Sequence, residues 1–144
     1  MAIHDHKIKD LRVWNLPTNV REFGNVRYNG NSIFVFEIAD LCVAHLGHLH
    51  HLLTDEDLGV LGQIDVLLVP VDGGMTMAQE YMLEVIDQID PAVVVPMHFF
   101  TYGSLQRFLA LIRNRYEPIL LEEPSIVLSR LTLPYRKVLV LPGG

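Results

Sequence analysis

The sequence lacks several features that define common protein classes. It has a single cysteine, so no internal disulfide can form. It has no apolar run of the roughly 18 residues that a membrane-spanning helix needs, and its first ten residues lack the apolar core of a secretory signal. These absences predict a soluble cytoplasmic protein with no membrane partner.

Clustered positive charge and the motifs of covalent catalysis are missing too. The 11 Lys and Arg residues are scattered among 17 Asp and Glu, and the net charge is -6. This argues against nucleic acid as a partner, because affinity for its backbone rests on clustered Lys and Arg. No glycine-rich phosphate loop or nucleophile elbow occurs, and Cys42 lies in an apolar run typical of a core position.

What is present fits one compact unit. The 144 residues are predicted to form a single domain spanning 1–144, large enough to bury a core. Half of the residues are hydrophobic and 19% are charged, which is more apolar than usual. Such a composition is typical of a chain with one face covered by a partner subunit or by further chain.

The first third reads as β structure. Residues 11–16 are predicted to form a strand that ends at Pro17, and residues 18–32 to form a long loop. Residues 33–38 and 41–45 are predicted to pair as a hairpin turning at Ala39 and Asp40. His4 and His6 would face the same side of a strand and could hold a metal weakly, but a frayed terminus is the preferred interpretation of this segment.

Helices and strands alternate in the remainder, which indicates an α/β fold with a parallel stretch of sheet. Continuous apolar runs at residues 65–71 and 92–97 are typical of buried strands. Thr54 is the expected N-cap of a first helix, Thr76 with Gln79 the capping box of a second, and Ser104 the N-cap of a third. Short strands are expected at residues 119–121, 126–131 and 138–141.

Four of the seven histidines crowd into one short segment after a predicted strand: His45, His48, His50 and His51. Neutral imidazole is the commonest metal ligand, and open α/β sheets bind ligands at the carboxyl ends of their strands. His48 follows Gly47, which permits an unusual backbone conformation. His45 could equally face the core, and of the adjacent His50 and His51 at most one is expected to face a shared metal.

Two further candidates follow buried strands. His98 comes directly after residues 92–97, in a position equivalent to that of His48. Asp72 precedes Gly73 and Gly74 after residues 65–71, where its carboxylate could bind a metal or act as a catalytic base. A turn or cap role for Asp72 is the alternative. Together these residues predict a metal site at one edge of the sheet.

Four motifs in order resemble the metallo-β-lactamase superfamily. They are NSIFVFE from Asn31, VAHLG ending at Gly47, DVLLVPV from Asp65 with the following glycines, and VPMH ending at His98. Within that superfamily the sequence is most similar to the metal-dependent hydrolases related to ascorbate-6-phosphate lactonase. The resemblance implies half of an αββα sandwich, the carboxy-terminal half, with a mixed sheet flanked by helices.

The resemblance also implies roles for individual residues. His98 matches a histidine ligand, His48 occupies the place of the metal-bridging aspartate, and His45 matches a histidine that commonly precedes that aspartate. The His-x-His-x-Asp-His signature of the first half is absent. The implied cofactor is Zn²⁺ or another divalent ion such as Mn²⁺ or Fe²⁺, in a site that this chain completes only in part.

The expected function is hydrolysis, with metal-activated water attacking an ester, lactone, amide or phosphoester of a small-molecule substrate. The alternatives are a non-catalytic binding or regulatory module derived from the fold, or a fragment of a longer hydrolase. A homodimer is expected, because a second copy could cover an apolar sheet face left without a partner.

Overall fold

The computed structural model of the protein describes residues 2–22 and 24–143. One mixed sheet of eight strands forms the framework, and three helices pack against it. The strands are β1 (Asp5–Ile8), β2 (Leu11–Glu22), β3 (Asn25–Ile38), β4 (Leu41–His45), β5 (Val66–Pro70), β6 (Val93–Met97), β7 (Glu117–Leu120) and β8 (Lys137–Val140). The helices are α1 (Asp55–Leu61), α2 (Gln79–Ile89) and α3 (Tyr102–Ile112).

The sheet order is β1-β2-β3-β4-β5-β6-β8-β7. Strands β1 to β4 are antiparallel neighbours, whereas β4, β5, β6, β8 and β7 run parallel. The predicted α/β class with a mixed sheet and flanking helices is therefore confirmed. Because β4, β5 and β6 are adjacent and parallel, the segments that follow them lie together at one edge of the sheet.

The helices cover one face of the sheet. Inward residues of the strands, such as Ile33, Val35 and Leu67, share a buried cluster with Met82 of α2 and Phe108 of α3. A second, smaller cluster on the other face joins strand residues to a few leucines of the segment after β7. No residue of the three helices belongs to that second cluster among the described residues. We call this second side the helix-free face.

The helix-free face is buried at one end and open at the other. Phe34 and Phe36 of β3 alternate with the buried Ile33 and Val35, so they point away from the helices. Each phenylalanine is 37% exposed, and Ile38 is 48% exposed. The homodimer expected from the sequence stays a prediction, and these are the residues that a second copy would cover.

Of the three predicted N-cap residues, one is confirmed and two are wrong. Thr54 caps α1 as expected and forms a capping box with Asp57. The predicted start of α2 at Thr76 is wrong: the helix begins at Gln79, because the Thr76 hydroxyl is engaged by a carboxylate of the preceding loop. Ser104 is likewise not a cap but lies in the first turn of α3, where Thr101 accepts its amide hydrogen.

The prediction that Pro17 ends the first strand is wrong. β2 continues to Glu22, and Pro17 pairs with Ser32 of β3. The amide of Asn15 points away from β3, toward the carbonyl of His4. Backbone direction alternates, so the nitrogen of Pro17 also points away from β3, at a place where β1 has not yet begun. The missing N–H therefore costs no hydrogen bond of the β2–β3 ladder.

Three other predictions of irregular or strand structure are also wrong. Residues 18–32, expected to form a loop, belong largely to the long β2–β3 hairpin. The amino terminus contributes a paired strand, β1, rather than a frayed end. Residues 126–131 form no strand; they belong to a segment that Arg130 ties to Asp65 through two side-chain hydrogen bonds of 2.7 and 3.0 Å.

The three helices of the described residues are too short to span the apolar core of a membrane.

Candidate metal centre

His48 is presented by a tight turn after β4. Gly47 has a φ of +61°, and a Cβ added there would lie 2.3 Å from the side-chain oxygen of Asn31. That oxygen accepts a hydrogen bond of 2.9 Å from the amide of His48. The side-chain amide of Asn31 donates to the carbonyl of Leu46 and to the hydroxyl of Thr18. The buried Asn31 therefore fixes both ends of the turn that carries His48.

Asp72 organises the loop after β5. Its Oδ2 accepts hydrogen bonds from the backbone amides of Gly74, Met75 and Thr76, at 3.0, 2.5 and 3.1 Å. Its Oδ1 accepts a bond of 2.6 Å from the hydroxyl of Thr76. Both oxygens are thus occupied by the loop itself. This favours the turn role over the catalytic base that the sequence also allowed.

The carboxylate of Asp72 also orients His98. The Nδ1 of His98 lies 3.1 Å from Oδ1 of Asp72, whose side chain is only 5% exposed. Burial alone would raise the pKa of Asp72, but hydrogen bonds from Thr76, Gly74 and His98 outweigh it and hold that pKa well below its ordinary value. An ionised carboxylate only accepts, so Nδ1 of His98 donates this hydrogen bond, and in the neutral imidazole the lone pair then lies on Nε2.

The backbone of His98 supports this orientation. Its φ of +58° is unusual for a residue with a side chain, and such conformations persist where the surroundings hold them. The His98 ring contacts two other rings, those of His48 and Phe100, with centroids 4.7 and 4.5 Å away in edge-to-face geometry. The imidazole is therefore held by its backbone, by a carboxylate and by two aromatic neighbours.

The separation of His48 and His98 suits two ligands of one metal ion. Zinc binds imidazole nitrogen at about 2.0–2.1 Å, so two rings bound at a tetrahedral angle have centroids about 5 Å apart. The observed 4.7 Å is close to that value. A carboxylate that fixes the other nitrogen of a histidine is also the usual support of a histidine ligand. His48 and His98 thus fit a divalent ion as two of its ligands.

The remaining ligand positions are not supplied by the described residues. Across 2–22 and 24–143, no three His, Cys, Asp or Glu side chains converge as a metal-binding group. The centre built by this part of the chain is accordingly partial. Water, a substrate or further polypeptide would complete the coordination.

His45 and His51 make hydrogen bonds within their own surroundings. Nδ1 of His45 accepts from the amide of Gly47 at 3.1 Å, and burial lowers the pKa of His45. Nε2 of His51 accepts from the amide of Asn19 at 3.0 Å, and its Nδ1 lies 2.8 Å from the carbonyl of Leu52. In this arrangement His51 has no lone pair left for a metal. His45 keeps only Nε2, on a ring that points toward the helix-free face.

His50 bridges two loops instead of joining His48. Its Nδ1 lies 2.6 Å from the carbonyl of His48, and its Nε2 lies 2.9 Å from the carbonyl of Met75. Both ring nitrogens therefore face carbonyl oxygens rather than an open ligand position. The structure brings together His48, His98 and Asp72 and directs the other three predicted histidines to backbone groups.

Asn31 is the contributor that sequence reasoning missed. It occupies an inward position on β3, two residues before Ile33, where an apolar side chain is the rule. A polar residue on the buried side of an alternating strand must be satisfied by partners, so it marks a structural or functional site. That break in the alternation was the available signal.

Comparison with known proteins identifies the family of the chain. A family model described as the beta-lactamase superfamily domain matches residues 2–98. A UPF0173 protein of Pyrococcus abyssi is 40% identical over 67 residues, which are 46% of this chain and 31% of that protein. A UPF0173 metal-dependent hydrolase of Pelotomaculum thermopropionicum is 28% identical over 122 residues, 84% of this chain and 54% of that protein.

Solved structures agree on the fold. A Thermotoga maritima protein assigned as a Zn-dependent hydrolase of the metallo-β-lactamase superfamily superposes with a TM-score of 0.73 at 29% identity. The alignment covers 97% of this chain and 69% of that protein. The metallo hydrolase Igni18 of Ignicoccus hospitalis superposes with a TM-score of 0.59 at 21% identity, over 77% of this chain and 50% of that protein. The chain spans about half or less of the length of the two curated relatives described above.

Proposed function

The chain belongs to the β-lactamase superfamily, and from that membership we propose that it acts in a metal-dependent hydrolase whose divalent metal is held in part by His48 and His98. The observation that carries the proposal is the Asp72–His98 pair. It engages Nδ1 of His98 and leaves Nε2 available as a metal ligand beside the His48 ring. We further propose zinc as the ion, because two neutral imidazoles suit zinc better than magnesium or calcium.

The residues of this chain have defined tasks in that proposal. When bound, a divalent metal supplies Lewis-acid chemistry, which lowers the pKa of water and polarises the scissile bond. His48 and His98 provide neutral nitrogen donors. Asp72 holds the proton on Nδ1 of His98, and Asn31 holds the turn that presents His48. No described residue here has both a free carboxylate and contact with His48 or His98, so we assign no general base.

The histidine at position 48 affects how many ions the centre can hold. The resemblance places it where relatives carry a bridging aspartate, and a neutral imidazole cannot offset the repulsion between two cations as a carboxylate does. We therefore propose a single metal ion rather than a pair. The reaction class that follows is water attack on an ester, lactone, amide or phosphoester.

Metal content tests the proposal directly. Protein purified without an affinity tag or chelator is expected to contain a divalent metal, measured by elemental analysis. His48→Ala and His98→Ala are each expected to lower that content sharply. His51→Ala is the matched control, because it removes a histidine from the same segment whose ring nitrogens are engaged by Asn19 and Leu52.

Two outcomes would contradict the proposal. If His51→Ala loses as much metal as His98→Ala, the ligands are not those proposed here. If the intact protein neither contains metal nor takes up added Zn²⁺ in calorimetry, the second candidate function gains support. That candidate is a binding module without catalysis, and the specific observation in its favour is the absence of three convergent ligands among the described residues.

A further inference from the structure

A groove lies between the outer end of the β2–β3 hairpin and the histidine-rich segment. Three adjoining cavities form it, and the largest has a volume of about 680 Å³. Arg21 and His50 line all three cavities. His48 lines one of them, so the groove opens directly beside the proposed metal centre.

The charge of the groove is opposite to that of the chain. The protein carries a net charge of -6, yet no Asp or Glu among the described residues lines any of the three cavities. Arg21 makes no ion pair with a described carboxylate. By contrast, four other arginines on the surface, Arg12, Arg107, Arg115 and Arg136, each pair with an Asp or a Glu. An arginine with no carboxylate partner among the described residues, in a groove whose described lining holds no acid, is positioned to receive an anion from outside.

The position of Arg21 is fixed by the fold around it. The amide of the nearby Asn19 donates to the His51 ring, and the Asn19 side chain accepts from the amide of Asn29 across the hairpin. Gly30 leaves room for the adjacent Val20, whose methyl group would lie 2.5 Å from a Cβ at that position. These contacts hold the hairpin end against the histidine-rich segment, so the Arg21 backbone does not depend on a ligand for its placement.

Part of the groove lining is apolar. Leu52, Met75, Met77 and Tyr81 line its largest cavity together with Arg21. Three of them, Leu52, Met75 and Tyr81, are between 40% and 62% exposed. Exposed apolar side chains that share a groove with one cation fit a molecule with an apolar body and a charged end.

We propose that this groove binds the substrate by an anionic group, a carboxylate or a phosphate, which Arg21 contacts through its guanidinium. The apolar body of the substrate lies along Leu52 and Tyr81, and the scissile bond is directed toward His48 and His98. This last placement rests on the function proposed above; the anion site itself does not. The planar guanidinium suits both oxyanions, because each can accept two parallel hydrogen bonds from it.

Anion binding by the metal-free full chain tests the inference. Inorganic phosphate and acetate would be titrated separately at constant ionic strength, and binding followed by chemical-shift changes in NMR. At least one anion is expected to bind in the millimolar range, and Arg21→Gln is expected to weaken it about tenfold, the effect of one charge-assisted hydrogen-bonded pair near solvent. Preference for phosphate or acetate identifies which anionic group the groove takes.

Two further variants control the experiment. Arg113→Gln removes the same charge at the end of α3, outside the groove, and should leave anion binding unchanged. Arg21→Lys keeps the charge but loses the planar fork, and should bind with intermediate affinity. Arg21 is exposed, so its variants are expected to fold normally, which circular dichroism would check.

The inference is overturned if neither anion binds, if Arg21→Gln binds as the unaltered protein does, or if Arg113→Gln weakens binding equally. Because the measurement uses no metal and no turnover, its failure is separate from failure of the hydrolase proposal. A protein that binds metal but no anion would keep the metal centre and lose only the Arg21 site.

Discussion

Replacing Asp72 by Asn should move the proton of the His98 ring to its other nitrogen while keeping the size and shape of the side chain at position 72. Oδ2 of Asp72 accepts three backbone amides, so the single oxygen of Asn is expected to take that place. The new amide group then faces Nδ1 of His98, where the carboxylate accepted a proton before. To accept from that amide, His98 must move its proton to Nε2, the nitrogen proposed to bind the metal.

The size of the effect follows from this geometry. Loss of a supporting partner of a histidine ligand typically costs 10- to 100-fold in metal affinity, which is about 1.4 to 2.7 kcal/mol. The Asp72 side chain is only 5% exposed, so solvent does little to screen the loss. We expect Zn²⁺ titrations in a calorimeter to show this weakening. Long-range nitrogen–proton correlation spectra should show Nε2–H in place of Nδ1–H.

The difference in stability between the unaltered protein and Asp72→Asn should depend on pH in a defined direction. The folded-state pKa of Asp72 is lowered, so its stabilisation is complete above the unfolded value of about 3.9 and is lost as pH falls through the folded value. Asp72→Asn has no such group. In urea unfolding, the stability gap between the two proteins should therefore be widest near neutral pH and shrink below about pH 4.

A matched control separates the site from the general loss of a carboxylate. Asp57→Asn removes a carboxylate that caps the distant helix α1 and accepts the amide of Thr54. It should lower stability and leave metal affinity unchanged. The reasoning is refuted if Asp72→Asn keeps Nδ1–H on His98 and binds Zn²⁺ within twofold of the unaltered protein.

Three further perturbations test the framework of the site. Gly47→Ala should lower the free energy of unfolding by about 1–3 kcal/mol in urea, because the added Cβ meets a side-chain oxygen at 2.3 Å and the φ is positive; an unchanged midpoint would contradict the turn geometry. Arg130→Ala should lower the free energy of unfolding by about 1–2 kcal/mol by the same assay, since the buried Asp65 would keep only the amide of Cys42 as a partner, while Arg130 itself is half exposed; a neutral effect would show that solvent replaces the pair. Phe36→Ser should convert the predicted homodimer to monomer in sedimentation velocity, and a native protein that sediments as a monomer would end that prediction.

The parts of the fold that the sequence could predict are those with strong periodicity. The runs that form β5 and β6 are continuously apolar because helices cover one side and the segment after β7 covers the other. The hairpin at Ala39 and Asp40 was predicted from spacing alone, and both residues indeed adopt positive φ. The outer half of the β2–β3 hairpin left no such signal. Residues 25–29 are all exposed, so nothing enforces an alternating pattern there.

The wrong prediction of a cap at Thr76 arose because Thr76 and Gln79 make hydrogen bonds with other partners, which their spacing in the sequence does not reveal. Thr76 and Gln79 have the separation of a capping box. In the structure the Thr76 hydroxyl donates to Asp72, and Gln79 donates to the carbonyls of Val71 and Ser104. Ser104 is 25 positions away from Gln79 in sequence. Because that partner comes from another helix, no local pattern could reveal that both side chains were already engaged.

The histidine-rich segment poses the same problem at the site itself. Composition predicts that a metal lies near four histidines, but not which rings keep a free nitrogen. That depends on groups far away in sequence: Asn19 for His51 and Met75 for His50. The predictable element was the shared edge, because His48, Asp72 and His98 each follow one of three adjacent parallel strands.

The arrangement at that edge also determines which way the free nitrogen of His98 points. Asp72 occupies Nδ1 of His98, so its metal-binding nitrogen points away from the β5 loop. His48 and Phe100 both contact the His98 ring, and of these two only His48 offers a ring nitrogen as a ligand. A metal held by both histidines, as proposed above, would lie near the groove of Arg21, because His48 and Arg21 line the same cavity. A substrate held in the proposed groove would approach His48 without displacing Asp72, whose carboxylate is engaged by its own loop.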